Sequence, residues 1–197
     1  VWFANRKVAQ LLQDYQTRFP EVILDMSLSN HKVDLVAEGF DLALRVMREP
    51  APHQIARLIC PTPFHLVASP EFVARHGMPR NCAEVMRLPA ISPSYLQQPS
   101  FEFIGPDGPE SLRLNPFMRS DNTNLTYYSA LGGAGLAYLP EWLVMDDLDS
   151  GRLVRLLPDY TEELQQLHAV YASRRYLTPK VRSFIDFLLE ELAEPAK

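Results

Sequence analysis

The sequence predicts an α/β protein folded as two lobes, and three observations lead to this prediction. Short apolar runs typical of strands alternate with apolar residues at helical spacing from end to end. No internal repeat, low-complexity segment or long linker interrupts this alternation. Two short extended runs, residues 64–68 and 167–172, bracket a self-contained α/β block. We therefore expect these two strands to cross between the lobes, and we expect largely parallel sheets.

The first third of the chain is predicted to contain one long helix and several short strands. Apolar residues recur at helical spacing from Val8 to Tyr15, and Pro20 ends the run. Residues 21–28 alternate apolar and polar side chains, which is the pattern of a half-buried strand. A short helix is expected at residues 31–37, with further strands at residues 42–46, 55–60 and 64–68.

Capping residues delimit the elements in the remainder of the chain. Ser69 is a suitable N-cap, Pro70 fits the first helical position, and Gly77 ends that helix. Residues 105–108 form the polar tip of a predicted hairpin. The other expected elements are strands at residues 88–91, 117–119, 136–140, 153–156 and 167–172, and helices at residues 124–132, 140–148 and from 179 onward. The apolar stripe of the last helix is assigned to the core.

The composition of the chain argues against several classes of protein. The chain has 197 residues, 47% of them hydrophobic, and a formal net charge of −5, which argues against holding a long stretch of nucleic acid on a basic face. Cys60 and Cys82 are too few for a disulfide framework and are predicted to be reduced, packed thiols. No apolar run approaches the roughly 20 residues needed to span a membrane, and no signal peptide is visible.

The sequence shows no catalytic or metal-binding constellation. The five histidines are scattered without metal-ligand spacing, and no Gly-x-Ser-x-Gly elbow is present. The glycines within residues 132–135 follow a helix rather than a strand, so they do not form a dinucleotide loop. The adjacent Asp146 and Asp147 are expected to be solvated. These patterns predict a non-enzyme with no metal and no cofactor.

Several stretches, in order along nearly the whole chain, resemble the effector-binding domain of LysR-type bacterial transcriptional regulators. Each stretch is weak evidence alone, but the ordered set is specific to that family. The matching stretches are FPEV at residues 19–22, VDLVAEGFDLALRV at 33–46, VASPEF at 67–72, HGMP at 76–79, GAGLAYLP at 133–140, GRLVRLLPDY at 151–160 and PKVR at 179–182. The sequence departs from the pattern at Phe101-Glu102-Phe103, where many relatives carry a tryptophan, and we expect this departure to alter the cleft wall.

The resemblance implies a periplasmic-binding-protein type 2 fold, with two Rossmann-like lobes joined by two crossover strands. Lobe I is expected to comprise residues 1–65 and 171–197, and lobe II residues 66–170. The family's N-terminal winged helix-turn-helix, its linker helix and the first strand of lobe I have no counterpart in this sequence, which begins with Val1 rather than Met. DNA binding is therefore implied for a longer parent protein and not for this segment.

The resemblance also implies an effector between the lobes, and ligands of open α/β sheets bind beyond the carboxyl ends of strands. In lobe I, Phe3, Ala4 and Asn5 would offer backbone amides and an apolar wall; the alternative is that they fray at the terminus. Ser29 and Asn30 would donate hydrogen bonds to a ligand, a role that is compatible with plain helix capping.

In lobe II, Ser92 and Ser94 follow a short strand and lie next to Tyr95 in the sequence. Two hydroxyls and a phenol near one spot suit a small polar effector, and the alternative is a solvated loop.

Asn122 and Thr123 lie at the start of a predicted helix, which ends at the glycines of residues 132–135. Of all the candidate residues, these two are the ones we most expect to bind the effector. This layout leaves free backbone N–H groups and a partial positive charge, which favour an anion. Asp121 opposes a carboxylate at the same place. We therefore favour a small neutral or aromatic effector, or a weak acid held by backbone amides.

The expected function is a ligand-sensing regulatory domain that binds a small-molecule effector and alters DNA binding by the absent helix-turn-helix. The implied partners are that effector, a second copy in a homodimer (a tetramer for the full-length parent), and DNA only through the absent domain, with no membrane. The first helix would pack on residues 124–132 of the second copy. The expected localisation is cytoplasmic. The alternative function is a periplasmic solute-binding protein, and an α/β hydrolase or transferase would need the missing catalytic constellation.

Overall fold

The computed structural model describes residues 5–29, 34–51, 54–95, 100–162, 164–172 and 177–192. The chain divides into two compact units. We call residues 64–163 the central unit, and the described residues before 64 and after 163 the terminal unit. All sheets formed by described strands lie within one unit or the other.

The described helices and strands follow the predicted order closely. The helices are α1 (Arg6–Arg18), α2 (Pro70–His76), α3 (Cys82–Val85), α4 (Thr123–Leu131), α5 (Glu141–Asp149) and α6 (Pro179–Leu192). The strands are β1 (Ala43–Met47), β2 (Ile55–Pro61), β3 (Phe64–Ala68), β4 (Pro89–Pro93), β5 (Ser100–Gly105), β6 (Gly108–Arg113), β7 (Asn115–Ser120), β8 (Leu136–Pro140), β9 (Val154–Arg155), β10 (Thr161–Glu162) and β11 (Gln166–Tyr171). Neither the single-turn helix α3 nor the two-residue strand β10 was predicted from the sequence.

The central unit is built on a five-stranded sheet with the order β7-β4-β8-β3-β9. Strand β4 runs parallel to both β7 and β8, whereas β3 runs antiparallel to β8 and β9. Every other ladder between described strands is antiparallel. The expectation of largely parallel sheets is therefore wrong, because alternation of helices and strands along the chain does not determine in which direction each strand returns.

The two faces of this sheet bury separate apolar clusters. One face carries Leu66, Ala90 and Leu136, which pack with α2, α3 and the β5–β6 hairpin. The other face carries Val67, Ile91 and Ala137, which pack with α4 and α5. Successive side chains of a strand point to opposite faces, so these residues establish which face each neighbouring side chain occupies.

The terminal unit contains the antiparallel sheet β1-β11-β2 together with α1 and α6. Helix α1 begins at Asn5, whose side chain accepts a hydrogen bond from the amide of Val8 at 3.0 Å. The Tyr15 ring is completely buried, and its hydroxyl lies 2.9 Å from the hydroxyl of Ser183 on α6. The apolar stripe of α6 is buried at Val181, Ile185 and Leu188, as predicted.

Residues 21–28 do not form the predicted strand. Val22 and Leu24 are half-buried while Ile23 is 92% exposed, but Met26 and Leu28 are also exposed, so burial alternates only at residues 22–24. No described strand pairs with this segment, and a strand needs a hydrogen-bonded neighbour. The helix predicted at residues 31–37 lies partly outside the described residues; its described part begins a turn, in which the Asp34 carboxylate accepts from the amides of Val36 and Ala37.

Asp146 and Asp147 differ in their surroundings. Asp146 is exposed as expected, but Asp147 is only 1% exposed, so the prediction that it is solvated is wrong. Its carboxylate pairs with Arg152 at 2.6 Å and accepts a hydrogen bond from the Tyr127 hydroxyl. Burial, reinforced by that hydrogen bond, raises the pKa of Tyr127 to about 12. The side chain faces inward because position 147 of α5 lies one turn from the buried Val144.

Neither Cys60 nor Cys82 forms a disulfide, and both are buried, as predicted. Burial, followed by the nearby charge of Glu110, raises the pKa of the Cys82 thiol to about 12, so this thiol remains protonated and unreactive near neutral pH. No helix in the described part of the chain is long and apolar enough to cross a membrane.

Candidate ligand-binding site

The parallel strands of the central unit end at one edge of the sheet. Strand β4 ends at Pro93, β7 at Ser120 and β8 at Pro140. Just beyond the edge, the Ser94 amide donates a hydrogen bond to the Ser120 carbonyl at 2.9 Å. The structure thus brings the segment after β4 next to the segment that begins α4, two places that the sequence analysis proposed separately.

Ser92 lies on β4 one residue before its end, opposite Arg119 of β7 in the ladder. Its side chain is completely buried, and its hydroxyl has no hydrogen-bond partner among the described residues. Buried hydroxyl groups in proteins are nearly always hydrogen-bonded. The isolated Ser92 hydroxyl is therefore an unusual feature of this edge. Ser94, by contrast, is exposed.

Helix α4 begins at the same edge. Asn122 is its N-cap, and its side-chain oxygen accepts a hydrogen bond from the Leu125 amide at 3.1 Å. The Asn122 amide donates to the Ser120 hydroxyl at 3.0 Å. Thr123, the first helical residue, is half-buried. The first-turn amides of a helix lack intrahelical acceptors, so this end can donate hydrogen bonds to a carbonyl or carboxylate oxygen.

The glycines at the other end of α4 have a different role. The amides of Gly132, Gly133 and Ala134 donate to carbonyls of Tyr128, Ala130 and Ser129. The Gly133 carbonyl accepts from the Arg75 guanidinium. These groups close the helix and lead into the start of β8, away from the carboxyl edge. These three amides are therefore not the free N–H groups that the layout predicted.

Tyr95 adds an aromatic group to the carboxyl edge. The side chain is 51% exposed, yet its hydroxyl lies close enough to packed protein that burial raises the pKa of Tyr95. The phenol is therefore neutral near pH 7 and can both donate and accept a hydrogen bond.

The predicted site residues of lobe I fall in the terminal unit or outside the described residues. The Asn5 side chain caps α1, and Ser29 is exposed. Phe3, Ala4 and Asn30 lie outside the described residues.

Sequence reasoning missed a contact between a histidine and a glutamate near the same edge of the central unit. His65 on β3 is 8% exposed, and its Nε2 atom lies 2.7 Å from a carboxylate oxygen of Glu141 at the start of α5. The alternation of β3 placed His65 on the α5 face, but nothing in the sequence indicated that Glu141 would face it. No group of three or more His, Cys, Asp or Glu side chains among the described residues is arranged to hold a metal ion.

The chain is similar to known bacterial proteins. Residues 1–193 match the family described as LysR substrate binding domain. The chain is 31% identical over 194 residues to the HTH-type transcriptional regulator DmlR of Escherichia coli (strain K12), covering 98% of this chain and 63% of that protein. It is 28% identical over 189 residues to the HTH-type transcriptional regulator CrgA of Neisseria meningitidis serogroup C (strain 8013), covering 94% of this chain and 62% of that protein. The chain thus spans less than two thirds of these relatives.

Solved structures agree with this likeness. The regulatory domain of CrgA, a LysR-type transcriptional regulator from Neisseria meningitidis, superposes with a TM-score of 0.82 at 26% identity, covering 94% of this chain and 92% of that chain. The full-length Vibrio cholerae virulence activator AphB superposes with a TM-score of 0.81 at 22% identity, covering 96% of this chain and 65% of that chain. These structures confirm the predicted α/β, periplasmic-binding-protein type 2 fold class.

Proposed function

This chain belongs to the LysR substrate binding domain family, and we propose that it is the effector-sensing domain of a LysR-type transcriptional regulator. The observation that carries the proposal is the family match over residues 1–193, which covers almost the whole chain. A domain that binds an effector more tightly in one of its conformations shifts the population toward that conformation. In the longer parent protein, that shift would change DNA binding by an N-terminal helix-turn-helix, which acts in the bacterial cytoplasm.

We propose that the effector contacts residues at the strand ends. In the central unit, the proposal is supported by the proximity of Ser94 to the start of α4 and by the position of Thr123 in the first turn of that helix, where backbone amides lack intrahelical acceptors. The full proposed set is Phe3, Ala4, Asn5, Ser29, Asn30, Ser92, Ser94, Asn122 and Thr123.

The alternative functions receive less support. The relatives named above are transcriptional regulators, and none is a periplasmic solute-binding protein. A hydrolase or transferase would need a nucleophile beside a base. Two buried titratable groups among the described residues of the central unit are instead held in structural pairs, Asp147 with Arg152 and His65 with Glu141.

A thermal-shift screen against aromatic acids, aromatic amides, amino acids and sugars tests the sensing function. We expect at least one ligand to raise the melting temperature, because a ligand that binds only the folded state stabilises it by mass action. Replacing Thr123 by valine removes a hydroxyl at the start of α4 and is expected to reduce that shift by at least half.

The matched control for this screen is Thr161→Val. Thr161 is exposed on β10, in a different sheet from β4 and β7, and valine is equally suited to a strand. The control should retain the full ligand shift. A ligand shift that is equal in wild type and Thr123→Val would show that the Thr123 hydroxyl does not contact the ligand.

We also propose a homodimer in which α1 of one copy packs on α4 of the other. On α4, Leu125 is 52% exposed and Tyr128 65% exposed, and their i, i+3 spacing places them on one face. The exposed side chains of α1 are mostly polar, including Gln10 and Asp14, so the expected apolar patch is present on α4 but not on α1.

Replacing both Leu125 and Tyr128 by glutamate is expected to convert the dimer to monomer, because buried unpaired charge opposes association. Analytical ultracentrifugation at matched concentrations measures the change. The control is Met145→Glu, a substitution at an exposed apolar residue of α5. A wild-type chain that stays monomeric at high concentration would contradict the dimer for this segment.

A further inference from the structure

We propose that the effector is a single aromatic ring bearing a hydrogen-bonding oxygen, and that Ser92 holds this oxygen while Phe101 and Tyr138 face the ring. This inference rests on the proposed sensing function and names the chemical class of its ligand. The oxygen belongs to a carboxamide or a carboxylate, which share the acceptor that a serine hydroxyl recognises.

The first observation is the isolated hydroxyl of Ser92. The side chain is completely buried and has no partner in the described part of the chain. A buried polar group without a partner destabilises the free protein, and its replacement by an apolar group of similar shape is close to neutral. A ligand oxygen that accepts a hydrogen bond from Ser92 would remove this penalty.

The alternation of β4 determines which face Ser92 occupies. Ile91 belongs to the cluster on the α4 and α5 face, whereas Ala90 belongs to the opposite cluster. Ser92 is therefore on the face of Ala90. The ladder between β4 and β8 ends at the pair Ile91 and Ala137, and we infer that the same register continued by one residue places Ser92 beside Tyr138 on the same face.

The second observation is an aromatic cluster on that face. The Tyr138 ring lies 4.5 Å from Phe101, 5.2 Å from Phe64 and 6.1 Å from Phe103, measured between ring centroids. Phe64, Phe101 and Tyr138 are only half-buried, so part of their surface is accessible. Aromatic rings prefer offset or edge-on contacts with other rings, and this surface favours an aromatic ligand over a saturated ring of similar size.

The charges near Ser92 do not decide between the amide and the carboxylate. Arg119 stands opposite Ser92 in the ladder and favours a carboxylate, as does the positive end of α4. Asp121 precedes α4, and its negative charge disfavours a carboxylate ligand. The two forms of the ligand are therefore separate arms of the test.

Isothermal titration with benzamide, benzoate, cyclohexanecarboxamide and cyclohexanecarboxylate tests the inference on the intact chain. We expect one of the two aromatic probes to bind at least fivefold more tightly than its saturated counterpart. Ser92→Ala is expected to weaken that binding about tenfold, the ratio for losing one hydrogen bond to a buried group. The same substitution should leave the melting temperature of the free domain unchanged or slightly raised.

Ser69→Ala is the matched control. Ser69 is also buried, at 4% exposure, but its hydroxyl is used: it caps α2 by accepting from the Phe72 amide at 3.2 Å. This variant should lower the melting temperature and keep the binding constant of the aromatic probe. Ser92→Ala is thus expected to weaken binding without lowering the melting temperature, and Ser69→Ala to lower the melting temperature without weakening binding. A general loss of folding cannot produce the Ser92→Ala result.

Phe101→Leu tests the ring contact without touching Ser92. Leucine keeps an apolar side chain while removing the ring, so the aromatic probe should lose its advantage over the saturated one. Equal binding of both ring types to wild type, unchanged binding to Ser92→Ala, or no binding by any of the four probes would each overturn the inference. The sensing function is judged separately, since a Thr123-dependent thermal shift with a sugar or amino acid would support it while excluding an aromatic effector.

Discussion

Replacing Tyr15 by alanine is expected to lower the free energy of unfolding by about 3–5 kcal/mol, the range for truncating a large buried aromatic side chain. Tyr15 is completely buried between α1 and α6. Its ring centroid lies 4.8 Å from Phe19, 4.9 Å from Phe184 and 5.2 Å from Phe187. Truncation therefore leaves a cavity lined by three rings and removes the main aromatic contact between the first and last helices.

Tyr15→Phe separates packing from hydrogen bonding. The phenylalanine keeps the ring and loses only the hydroxyl that contacts Ser183 at 2.9 Å. We expect a loss of about 0.5–1.5 kcal/mol, the net contribution of a typical hydrogen bond. Urea unfolding monitored by circular dichroism measures both variants. Equal losses in the two variants would show that the hydroxyl, rather than the ring packing, holds α1 against α6.

Replacing Gly105 by alanine is expected to lower the free energy of unfolding by about 1–3 kcal/mol, the usual effect of overpacking. Gly105 ends β5 beside the Tyr160 ring, and an added Cβ would lie 2.7 Å from the ring atom Cζ. The ring cannot simply rotate away. It is 5% exposed, and its hydroxyl donates to the Glu110 carboxylate at 2.7 Å.

The control for Gly105→Ala is the same change in a Tyr160→Ala background. Removing the ring removes the clash, so the second substitution should then have little effect, and the two changes should be strongly non-additive. Thermal unfolding measures the difference, with about 2–4 °C expected per kcal/mol for a chain of this size. Additive effects would mean that Gly105 matters for its backbone conformation and not for the space that Tyr160 needs.

The hydrogen bond from Tyr160 lowers the pKa of Glu110, while the same bond raises the pKa of Tyr160 to about 12. The carboxylate also accepts from the Cys82 amide at 3.2 Å, at the start of α3. Neither this network nor the need for glycine at position 105 is visible in the sequence, because Gly105, Glu110 and Tyr160 are separated along the chain and meet only when the hairpin packs on the core.

Local patterns were sufficient for most individual elements. The N-caps Ser69 and Asn122, the proline at position 70 and the hairpin tip at residues 105–108 all occupy the positions that were predicted. These features depend on backbone geometry within a few residues, which the local sequence determines. Residues 21–28 show the limit of this reasoning: their sequence has the pattern of a strand, but a strand also requires a partner from elsewhere in the fold.

The sequence predicted residues of the candidate site but not their proximity to one another. Ser92, Ser94, Asn122 and Thr123 were named because each follows a strand, and the structure adds that β4 and β7 are parallel neighbours, so that these ends meet. Burial and hydrogen bonding depend on all the surrounding elements. The sequence therefore could not predict that the Ser92 hydroxyl has no partner or that the rings of Phe101 and Tyr138 are half-buried.

Periodicity and ordered motifs are properties of the chain, so the α/β class, the order and caps of the elements, and the family could be predicted from the residues alone. The folded chain adds three features that local patterns did not reveal: strand direction, the pairing of buried Asp147 with Arg152, and the burial of the Ser92 hydroxyl without a partner. These features arise from contacts between residues far apart in the chain, and such contacts exist only once the strands are paired and the helices are packed.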